Sequence, residues 1–520
     1  MRTPMPSSRF LASLPVLPVA LLTSLLFSLL LTLNHQPLND DAFSYLRAAE
    51  RFQQEGLNSV VQDYGWPGYA ILIALADLLL PGGLDVSAHV LNALSYLLLT
   101  WTFIALQRDS GANQRQTWLA AGVVLLFPLL NEMRSFIIRD AAYWAFSLLA
   151  LLQLLRFARA VTPAQGLPLA LAWCGSTLLA SVFRLEALLP ALLAPLALLA
   201  CHPADNRNAA RASGLQPMLM LYGLLLVCAL LALLLAFAAG VNLPGLMGFA
   251  WRYYLPLLLD LGAVLRDDAL ALNSALFTAD NFPGSTNVAL GLLILVFGYA
   301  MSVLLNLAAA LGIPYAALLV LGWQQRLTAL PRAVVAPWLG YAVPAALALL
   351  VFQFIMHFQT QRYAALLALL LLVWAPGILE QWWQRAERHG RAARVRITLG
   401  VFCLYLAADS LVSFGYSKQY LKEAEQWLQQ ELPADATLTT NSFQLAWGSG
   451  RVVDHDKTQR DVALTLEDAA ASTWLAIDLK QGDLQARALL DQTPDLQLVS
   501  SFRNERGDEV RIYRRTEGTR

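Results

Sequence analysis

The sequence has few charged residues and almost no lysine. Charged residues make up 14% of the 520 residues, whereas 57% are hydrophobic. The four lysines (Lys418, Lys422, Lys457 and Lys480) all lie near the carboxyl end of the chain. This apolar content exceeds what the core of a soluble protein needs, so the sequence excludes a soluble enzyme and indicates contact with lipid.

The sequence also lacks the motifs of several common sites. Its four cysteines lie in or at the ends of apolar runs, so no disulfide framework is indicated. No Gly-x-Gly-x-x-Gly opens a helix and no Gly-x-x-x-x-Gly-Lys loop is present, which argues against a nucleotide site. The six histidines include no i, i+4 pair, so a zinc site has no support.

Long apolar runs predict a mainly α, polytopic transmembrane helical bundle. About eleven runs, with a range of roughly 11 to 13, approach the spanning length of about 20 residues. They cover 15–33, 86–107, 117–133, 141–157, 167–183, 187–201, 217–241, 301–323, 333–356, 363–379 and 397–414. The first resembles a signal peptide but no small-residue cleavage site follows it, so we expect a retained helix. Two shorter pieces, 67–80 and 288–299, are predicted to be interfacial or re-entrant.

Arginines are distributed unequally between the two sets of loops. Loops on the amino-terminal side carry most of them, including a cluster at 385–396. The positive-inside rule therefore places the amino terminus in the cytoplasm of a bacterial inner membrane and the tail in the periplasm.

The composition changes near Gly415, which predicts a membrane domain at 1–415 and a soluble periplasmic α/β domain at 416–520. In the tail we expect helices at 420–431 and 484–490, strands at 436–440 and 474–478, and a hairpin of 496–502 with 509–513. His455 lies between two aspartates, and a solvated loop is favoured there over a metal ligand.

The first outer loop carries an acidic pair, Asp40 and Asp41, just beyond the first apolar run. An amphipathic helix from about 41 to 55, closed by Gly56, fits the spacing. On the structural interpretation, Asn39 or Asp40 is simply the N-cap of that helix, where acidic residues are favourable.

Further charges occur in the other outer loops, at membrane depth. They are Glu132, Arg139, Asp140, Arg184, Glu186 and Arg362, and the long loop 242–287 adds Trp251-Arg252-Tyr253-Tyr254 and Arg266-Asp267-Asp268. Ionisable residues at this depth tend to be functional. Acids and arginines on one face suit a reaction in which a hydroxyl is deprotonated and a phosphate departs. Each arginine taken alone is also a plausible anchor to lipid headgroups.

Together these motifs resemble the GT-C superfamily of integral-membrane glycosyltransferases, and within it the bacterial relatives of protein O-mannosyltransferases and aminoarabinose transferases. The matching segments are Asn39-Asp40-Asp41-Ala42-x-x-Tyr45, Tyr64-Gly65-Trp66-Pro67-Gly68-Tyr69, Arg139-Asp140 and Arg362-Tyr363. The resemblance covers about 15–414. The chain departs from the family pattern in having Asp-Asp where Asp-Glu is common and in lacking a double proline.

The resemblance implies a sugar donor on a polyprenyl phosphate, a lipid, glycan or protein acceptor, an inverting displacement and no nucleic acid. It makes Asp40 the base and gives Asp41 and Asp140 an orienting role. Donor phosphate binding falls to Arg362, Arg184, Arg139 and Tyr363, and the acceptor or lipid groove to Tyr45, Tyr64, Trp66, Glu132 and Glu186. The three aspartates could also hold Mg²⁺ or Mn²⁺, since some relatives use a divalent metal.

Other functions remain open at this point. A transporter or flippase of lipid-linked glycans also needs many helices and outer charges, but such proteins tend to show internal repeats, and none is visible here. A non-catalytic scaffold would leave the acidic pair unexplained. A polymerase or ligase from another branch of the superfamily would differ only in its acceptor.

Overall fold

The computed structural model describes residues 15–33, 38–63, 66–200, 215–245, 248, 252, 255–256, 259–276, 288–327, 330, 332–411, 418–451, 453, 458, 461–468 and 472–516. The chain forms two compact units. The first comprises Met1–Leu31, Ala48–Arg134 and Ile138–Leu411, and the second comprises Thr32–Arg47, Ser135–Ile137 and Val412–Arg520. The predicted division at 415/416 stays a prediction.

Helices make up most of the described chain before the tail. In chain order they are α1 (Val16–Leu33), α2 (Asp40–Glu55), α3 (Leu57–Asp63), α4 (Gly68–Asp77), α5 (Leu84–Asp109), α6 (Gln114–Leu125), α7 (Pro128–Met133), α8 (Asp140–Arg159), α9 (Pro163–Phe183), α10 (Leu188–Leu193), α11 (Leu215–Ala238), α12 (Leu261–Leu276), α13 (Val288–Gln324), α14 (Arg332–Met356), α15 (Gln361–Leu372), α16 (Ala375–Arg388) and α17 (Ala392–Leu411). Two 3₁₀ segments, Leu185–Ala187 and Ala194–Ala200, flank α10.

Seven of the described helices are long and apolar enough to cross a membrane. They are α1, α5, α8, α9, α11, α13 and α14, and an eighth results if α15 and α16, which meet at a bend of 43°, form one span. By length and composition the chain is therefore a multi-pass membrane protein, and the mainly helical class is confirmed. The larger predicted count, about eleven, stays a prediction.

Several predicted spans differ from the helices observed. The run 117–133 is divided into α6 and α7, because Pro128 occupies the first turn of α7 and cannot donate to a continuing helix. The run 187–201 forms only short helical pieces that contain Pro190 and Pro195. The piece 288–299 is not separate, since it continues into the 37-residue α13, which bends at Gly312 (φ 71°, ψ 154°). The piece 67–80 forms α4, whose ten residues reach about 15 Å, too short to span.

Polar side chains satisfy backbone carbonyls at these helix breaks. Gln107 Nε2 donates to the carbonyl of Val373, at the bend between α15 and α16, over 2.6 Å. Tyr315 Oη donates to the carbonyl of Val123 at 3.0 Å, in the last turn of α6. An apolar surrounding supplies no water for such carbonyls, so internal donors allow the breaks to exist.

The helix α8 lies at the centre of the first unit. It packs mainly on α9 and α5, and 72% of its apolar window is buried, the largest fraction among the candidate spans. Its Trp144 is fully buried, as is Trp173 of α9, whose Nε1 donates to Tyr341 Oη at 3.0 Å. This packing holds the first turn of α8 and the last turn of α9 in fixed positions.

The tail forms a small α/β fold, as predicted. Its elements are α18 (Gln419–Glu431), β1 (Leu438–Thr440), α19 (Phe443–Gly448), α20 (Val462–Asp468), β2 (Trp474–Leu479), α21 (Leu484–Gln492), β3 (Leu496–Arg503) and β4 (Glu509–Arg515). The sheet order is β1-β2-β4-β3, with β1 parallel to β2 and the other pairs antiparallel. Leu421 and Leu428 of α18 pack against Ala476 and Ile512 of the sheet.

Candidate functional site

A buried arginine joins three segments of the first unit. Arg184 is 7% exposed and follows α9, where its extended backbone (φ −147°) ends the helix. It forms ion pairs with Asp140, the first residue of α8, and with Glu186 of the neighbouring 3₁₀ turn. Its Nε donates to Glu186 Oε1 at 3.2 Å. Asp140 also lies where a helix dipole favours negative charge.

Two arginines share one aromatic ring in this region. The guanidinium of Arg184 lies 4.8 Å from the ring centroid of Tyr363, and that of Arg362 lies 5.2 Å from it. Arg362 Nη2 also donates to Tyr363 Oη at 3.3 Å. A second ring, that of Tyr143, lies 5.7 Å from Arg184. These cation–π contacts fix the planes of both guanidinium groups.

The charges of this cluster support one another. Burial alone raises the pKa of the Glu186 carboxyl, but the Arg184 guanidinium outweighs burial and holds that pKa below its usual value. Burial alone lowers the pKa of Arg184, but Glu186 and Asp140 outweigh it and raise the pKa well above its usual value. Both Arg184 and Glu186 are therefore charged at neutral pH.

A pocket opens beside the cluster. Its charged lining residues are Arg184, Glu186 and Arg362, and the rest of the lining is aromatic and aliphatic. The other lining residues are Tyr143, Trp144, Ala345, Ala348, Leu349, Phe352, Tyr363, Leu366 and Leu367. A pocket lined by both charged and apolar side chains matches a ligand that carries both an anionic group and a hydrocarbon chain.

Positive charge predominates around this pocket. Glu186 also interacts electrostatically with Arg139, which directly precedes Asp140. The region thus holds three arginines (Arg139, Arg184 and Arg362) against the two carboxylates of Asp140 and Glu186. The surplus of one positive charge, in a site with apolar walls, favours an anion.

The structure brings five of the candidate residues together in the first unit: Asp140, Arg184, Glu186, Arg362 and Tyr363. Glu132 lies exposed on α7, and Trp66 is half-buried just before α4; neither lines the pocket. Tyr64, Trp251, Tyr253, Tyr254 and His455 lie outside the described residues.

The acidic pair belongs to the second unit. The helix α2 begins at Asp40, which is exposed, while Asp41 is half-buried and Tyr45 is buried at 4% exposure. The adjacent Asn39 does not use its side chain as an N-cap. Its Oδ1 accepts from the backbone N–H of Ile137 at 2.9 Å, and its Nδ2 donates to the Ile137 carbonyl at 3.2 Å. Asn39 directly precedes α2, which is the position of an N-cap residue, and its side chain pairs with a second loop.

Of the aromatic residues that line the pocket, Tyr363 was predicted, whereas Tyr143, Trp144 and Phe352 were not. Tyr143 could have been predicted from the sequence, since it lies three residues after Asp140 and so shares its helix face. Phe352, whose ring centroid is 4.6 Å from that of Tyr363, could not have been, because it lies in a uniformly apolar helix.

The donor set for a metal ion is incomplete. Among the described residues, no three His, Cys, Asp or Glu side chains are grouped so that they could hold a metal. Asp140, one of the three aspartates considered for this role, is already engaged by Arg184. The described residues thus contain no complete set of ligands for magnesium or manganese.

Comparisons of sequence alone show no relatives, whereas comparison of structure does. No family model matches the sequence, and no curated protein matches it. The oligosaccharyltransferase of Archaeoglobus fulgidus in its apo form is similar over 89% of this chain and 69% of that chain, with 13% identity and a TM-score of 0.50. A structure of that protein, AglB, with an inhibitory peptide and a dolichol-phosphate gives the same identity and coverage at 0.48. ArnT from Cupriavidus metallidurans, bound to undecaprenyl phosphate, is 14% identical over 97% of this chain and 98% of that chain, at 0.43.

At these identities the likeness concerns the fold. The score of 0.50 to the archaeal protein agrees with the fold that the motifs predicted. The chain accordingly shares the fold of this archaeal oligosaccharyltransferase.

Proposed function

We propose that this protein transfers a sugar from a polyprenyl-phosphate-linked donor to an acceptor hydroxyl at the outer face of a bacterial inner membrane. The observation that carries the proposal is the pocket beside Arg184 and Arg362. A membrane bundle needs no buried ion-pair cluster for its stability, and ionisable residues at membrane depth generally mark a functional site. The GT-C fold supports the same conclusion.

The donor phosphate is assigned chiefly to Arg362. This residue lies in the first turn of α15, where the helix dipole adds to its positive charge. Its guanidinium matches phosphate oxygens as a fork. Arg184 already balances Asp140 and Glu186, so its contribution is to hold both carboxylates in place and to supply a second contact. Arg139 and Tyr363 complete the phosphate-binding set.

The reaction is assigned to the acidic pair. Asp40 accepts the proton of the acceptor hydroxyl as its oxygen attacks the anomeric carbon from the face opposite the phosphate. The bond from that carbon to the phosphate oxygen breaks, and the polyprenyl phosphate leaves with the electron pair, which gives inversion. Asp41 orients the base, Asp140 orients the donor end, and Tyr45, Tyr64, Trp66, Glu132 and Glu186 remain candidates for the acceptor or lipid groove. No step is assigned to a metal.

The sidedness is part of the proposal. The arginine asymmetry places 385–396 in the cytoplasm and the tail from Lys418 onward in the periplasm. Reporter fusions at Gly390 and Glu431 should give opposite signals. Identical signals at the two positions would contradict the proposed topology.

A flippase of lipid-linked glycans is the second candidate. The observation in its favour is the break at Gly312 inside α13, because transporters use interrupted helices at their substrate sites. The two functions differ in covalent chemistry. Purified protein in detergent, which has no two sides to flip between, retains a transferase activity and loses a flippase activity.

The first test is a transfer assay with a panel of polyprenyl-phosphate sugars and extracted envelope lipids, glycans and proteins. Asp40→Asn and Asp41→Asn are compared with the wild type, with thermal unfolding and binding of undecaprenyl phosphate measured alongside. Asp40 is exposed and asparagine has the same shape as aspartate, so Asp40→Asn should keep the fold. Loss of a positioned base should lower turnover about 10² to 10⁴-fold.

A folded Asp40→Asn protein that binds undecaprenyl phosphate and transfers sugar at the wild-type rate would refute the assignment of the base. If Asp41→Asn were inactive in the same assay, the role of the base would be reassigned to Asp41. For the phosphate contact, Arg362→Lys keeps the charge but loses the fork, so it should weaken binding of undecaprenyl phosphate. Arg156→Lys is the matched control, because its ion pair with Asp109 lies at the opposite end of α8.

A further inference from the structure

An arginine-rich turn of the first unit joins α16 to α17, and the proposed reaction does not use it. Residues 385–396 contain five arginines and a single acid. The arginine side chains are all exposed, at positions Arg385, Arg388, Arg391, Arg394 and Arg396. The turn itself contains Gly390, whose positive φ of 68° glycine adopts without strain. The segment therefore places a high density of positive charge on the surface.

The acid of this segment does not neutralise that charge. The carboxylate of Glu387 faces Arg115 of α6, with Oε2 lying 3.5 Å from Nη1. Within the described part of the chain, the side chains of Arg388, Arg391 and Arg394 form no ion pair. Their charge is thus available to an anion from outside the chain.

The turn lies beside the end of a candidate membrane span. The helix α13 is such a span, and hydrogen bonds join the residues directly after it to α16. Gln381 Nε2 donates to the carbonyl of Leu327 at 2.8 Å, and Arg385 Nη2 donates to the carbonyl of Gln325 at 3.4 Å. Arg326, between those two carbonyls in the chain, is exposed and adds a sixth positive charge. The arginines therefore lie where a span ends, which is the level of lipid headgroups.

Three tryptophans accompany the arginines. Trp323, in the last turn of α13, is 54% exposed, and Trp382 and Trp383 of α16 are half-buried. Tryptophan favours the boundary between hydrocarbon and headgroups, because its ring is apolar while its N–H takes a polar partner. Arginines at the end of an amphipathic helix, next to such tryptophans, indicate a membrane surface as the partner and not a soluble acidic protein or a nucleic acid.

We infer that these six arginines bind the phosphate groups of anionic phospholipids. They are called the arginine patch, and its members are Arg326, Arg385, Arg388, Arg391, Arg394 and Arg396. Each guanidinium matches two phosphate oxygens as a fork. The last two members lie in the first two turns of α17, where the helix dipole is also positive, so an anion there is favoured by both.

The arginine patch is separate from the pocket that holds Arg362. That residue lies in the first turn of α15, whereas the patch begins in the last turn of α16. The two helices follow one another with a bend of 43°, so the two groups of arginines lie at opposite ends of the pair. The inference is independent of the proposed transfer reaction.

The test is binding of phosphatidylglycerol to the full-length protein purified in a non-ionic detergent. Phosphatidylglycerol and phosphatidylcholine with identical chains are titrated separately, and bound lipids are counted by native mass spectrometry. The wild type should bind phosphatidylglycerol more tightly. This preference should weaken as salt is raised, because the arginines of the patch are exposed.

The decisive variant combines Arg388→Gln, Arg391→Gln and Arg394→Gln. An arginine near a membrane surface contributes about fivefold to the affinity for anionic lipid, so the glutamine triple should bind phosphatidylglycerol about 10²-fold more weakly. Lysine at the same three positions keeps the charge and should keep most of the affinity. Arg391→Gln alone should lower the affinity about fivefold, and it serves as the test if the triple variant does not fold.

The matched control removes three exposed arginines from the tail, by combining Arg503→Gln, Arg506→Gln and Arg514→Gln. Its affinity for phosphatidylglycerol should equal that of the wild type. Thermal unfolding in phosphatidylcholine should be the same for the glutamine triple and the wild type, which separates loss of the patch from loss of the fold. Undecaprenyl phosphate should bind the glutamine triple as it binds the wild type.

Three results would overturn the inference. The first is a wild-type affinity for phosphatidylglycerol in the glutamine triple, or an equal loss in the tail control. The second is an equal loss in the lysine triple, which would show that the arginines hold the fold and do not act through charge. The third is a loss in Arg362→Lys without a loss in the glutamine triple, because phosphatidylglycerol would then occupy the pocket.

Discussion

The two buried arginines of the first unit have opposite surroundings. Arg184 faces two carboxylates and lines a pocket, whereas Arg134 is enclosed by neutral oxygens and one tyrosine ring. A buried cation can thus be stabilised by countercharge or by several oriented dipoles. At Arg184 the formal charges lie beside a pocket where a ligand can bind. Arg134, by contrast, is enclosed by its neutral partners and lines no part of that pocket.

The difference lies in what each cluster would lose. Removing Arg184 would leave the buried carboxylate of Asp140 and the partly exposed carboxylate of Glu186 without their ion-pair partner. Removing Arg134 would leave only hydroxyl, amide and carbonyl oxygens without a donor. Charged groups that lose their partner cost far more than neutral ones, so the two sites should respond differently to the same substitution.

The largest expected effect is that of Arg184→Met. It should lower the free energy of unfolding by about 3 to 5 kcal/mol, because the buried carboxylate of Asp140 loses its ion-pair partner and Glu186 loses its ion pair as well. The measurement is denaturant unfolding in mixed micelles at neutral pH. Arg156→Met is the control, since its pair with Asp109 is partly exposed and should contribute about 0 to 1 kcal/mol. Equal losses in the two variants would remove the distinction drawn for Arg184.

A smaller effect is expected for Arg134→Met, about 1 to 3 kcal/mol in the same experiment. The neutral acceptors Ser24, Ser28 and Asn131 lose a donor, but a desolvated charge is removed with it. A loss as large as that of Arg184→Met would show that the dipoles around Arg134 matter as much as countercharge.

The smallest expected effect is on the dependence of folding stability on pH in the acidic range. The pKa of Glu186 is held below its ordinary value near 4.5 in the folded state. Its contribution to stability is therefore complete above the unfolded pKa and is lost as pH falls through the lower, folded pKa. Glu186→Gln should flatten the decline of stability below about pH 4.5, whereas Arg134→Met should leave that decline unchanged, since its partners do not titrate there. An unaltered slope in Glu186→Gln would contradict the ion pair with Arg184.

Sequence reasoning worked best in the tail. Alternating apolar and polar residues predicted a strand at 474–478 and the hairpin of 496–502 with 509–513, and the strands observed are Trp474–Leu479, Leu496–Arg503 and Glu509–Arg515. In a soluble domain one face of a strand packs on the core and the other faces water, so the alternation of apolar and polar residues predicts the strand. In the membrane part, hydropathy reports apolar character but not helix continuity. For this reason hydropathy predicts one span over 117–133, although the helix breaks at Pro128.

The sequence predicted which residues belong to the candidate site but not how they are arranged in space. Ionisable residues in outer loops singled out Asp140, Arg184, Glu186 and Arg362, because such residues are rare at membrane depth. Nothing in the sequence indicated that one guanidinium joins two carboxylates. The pairing of Asn39 with Ile137 was equally hidden, since it links residues 98 positions apart through backbone atoms that every residue possesses.

The first helix illustrates how two segments of equal hydropathy need not be interchangeable. Val16–Leu33 has a mean hydropathy of 2.4 and only 22% of it is buried, so a membrane would accept many other apolar helices in its place. Its buried side is Val16, Ala20, Ser24 and Ser28, spaced four apart. Chimaeras that exchange it for a generic leucine-rich anchor would insert with the same orientation and still leave Arg134 without its acceptors. The apolar character of these eighteen residues is therefore sufficient for membrane insertion, whereas the folded protein also requires Ser24 and Ser28 as hydrogen-bond acceptors for Arg134.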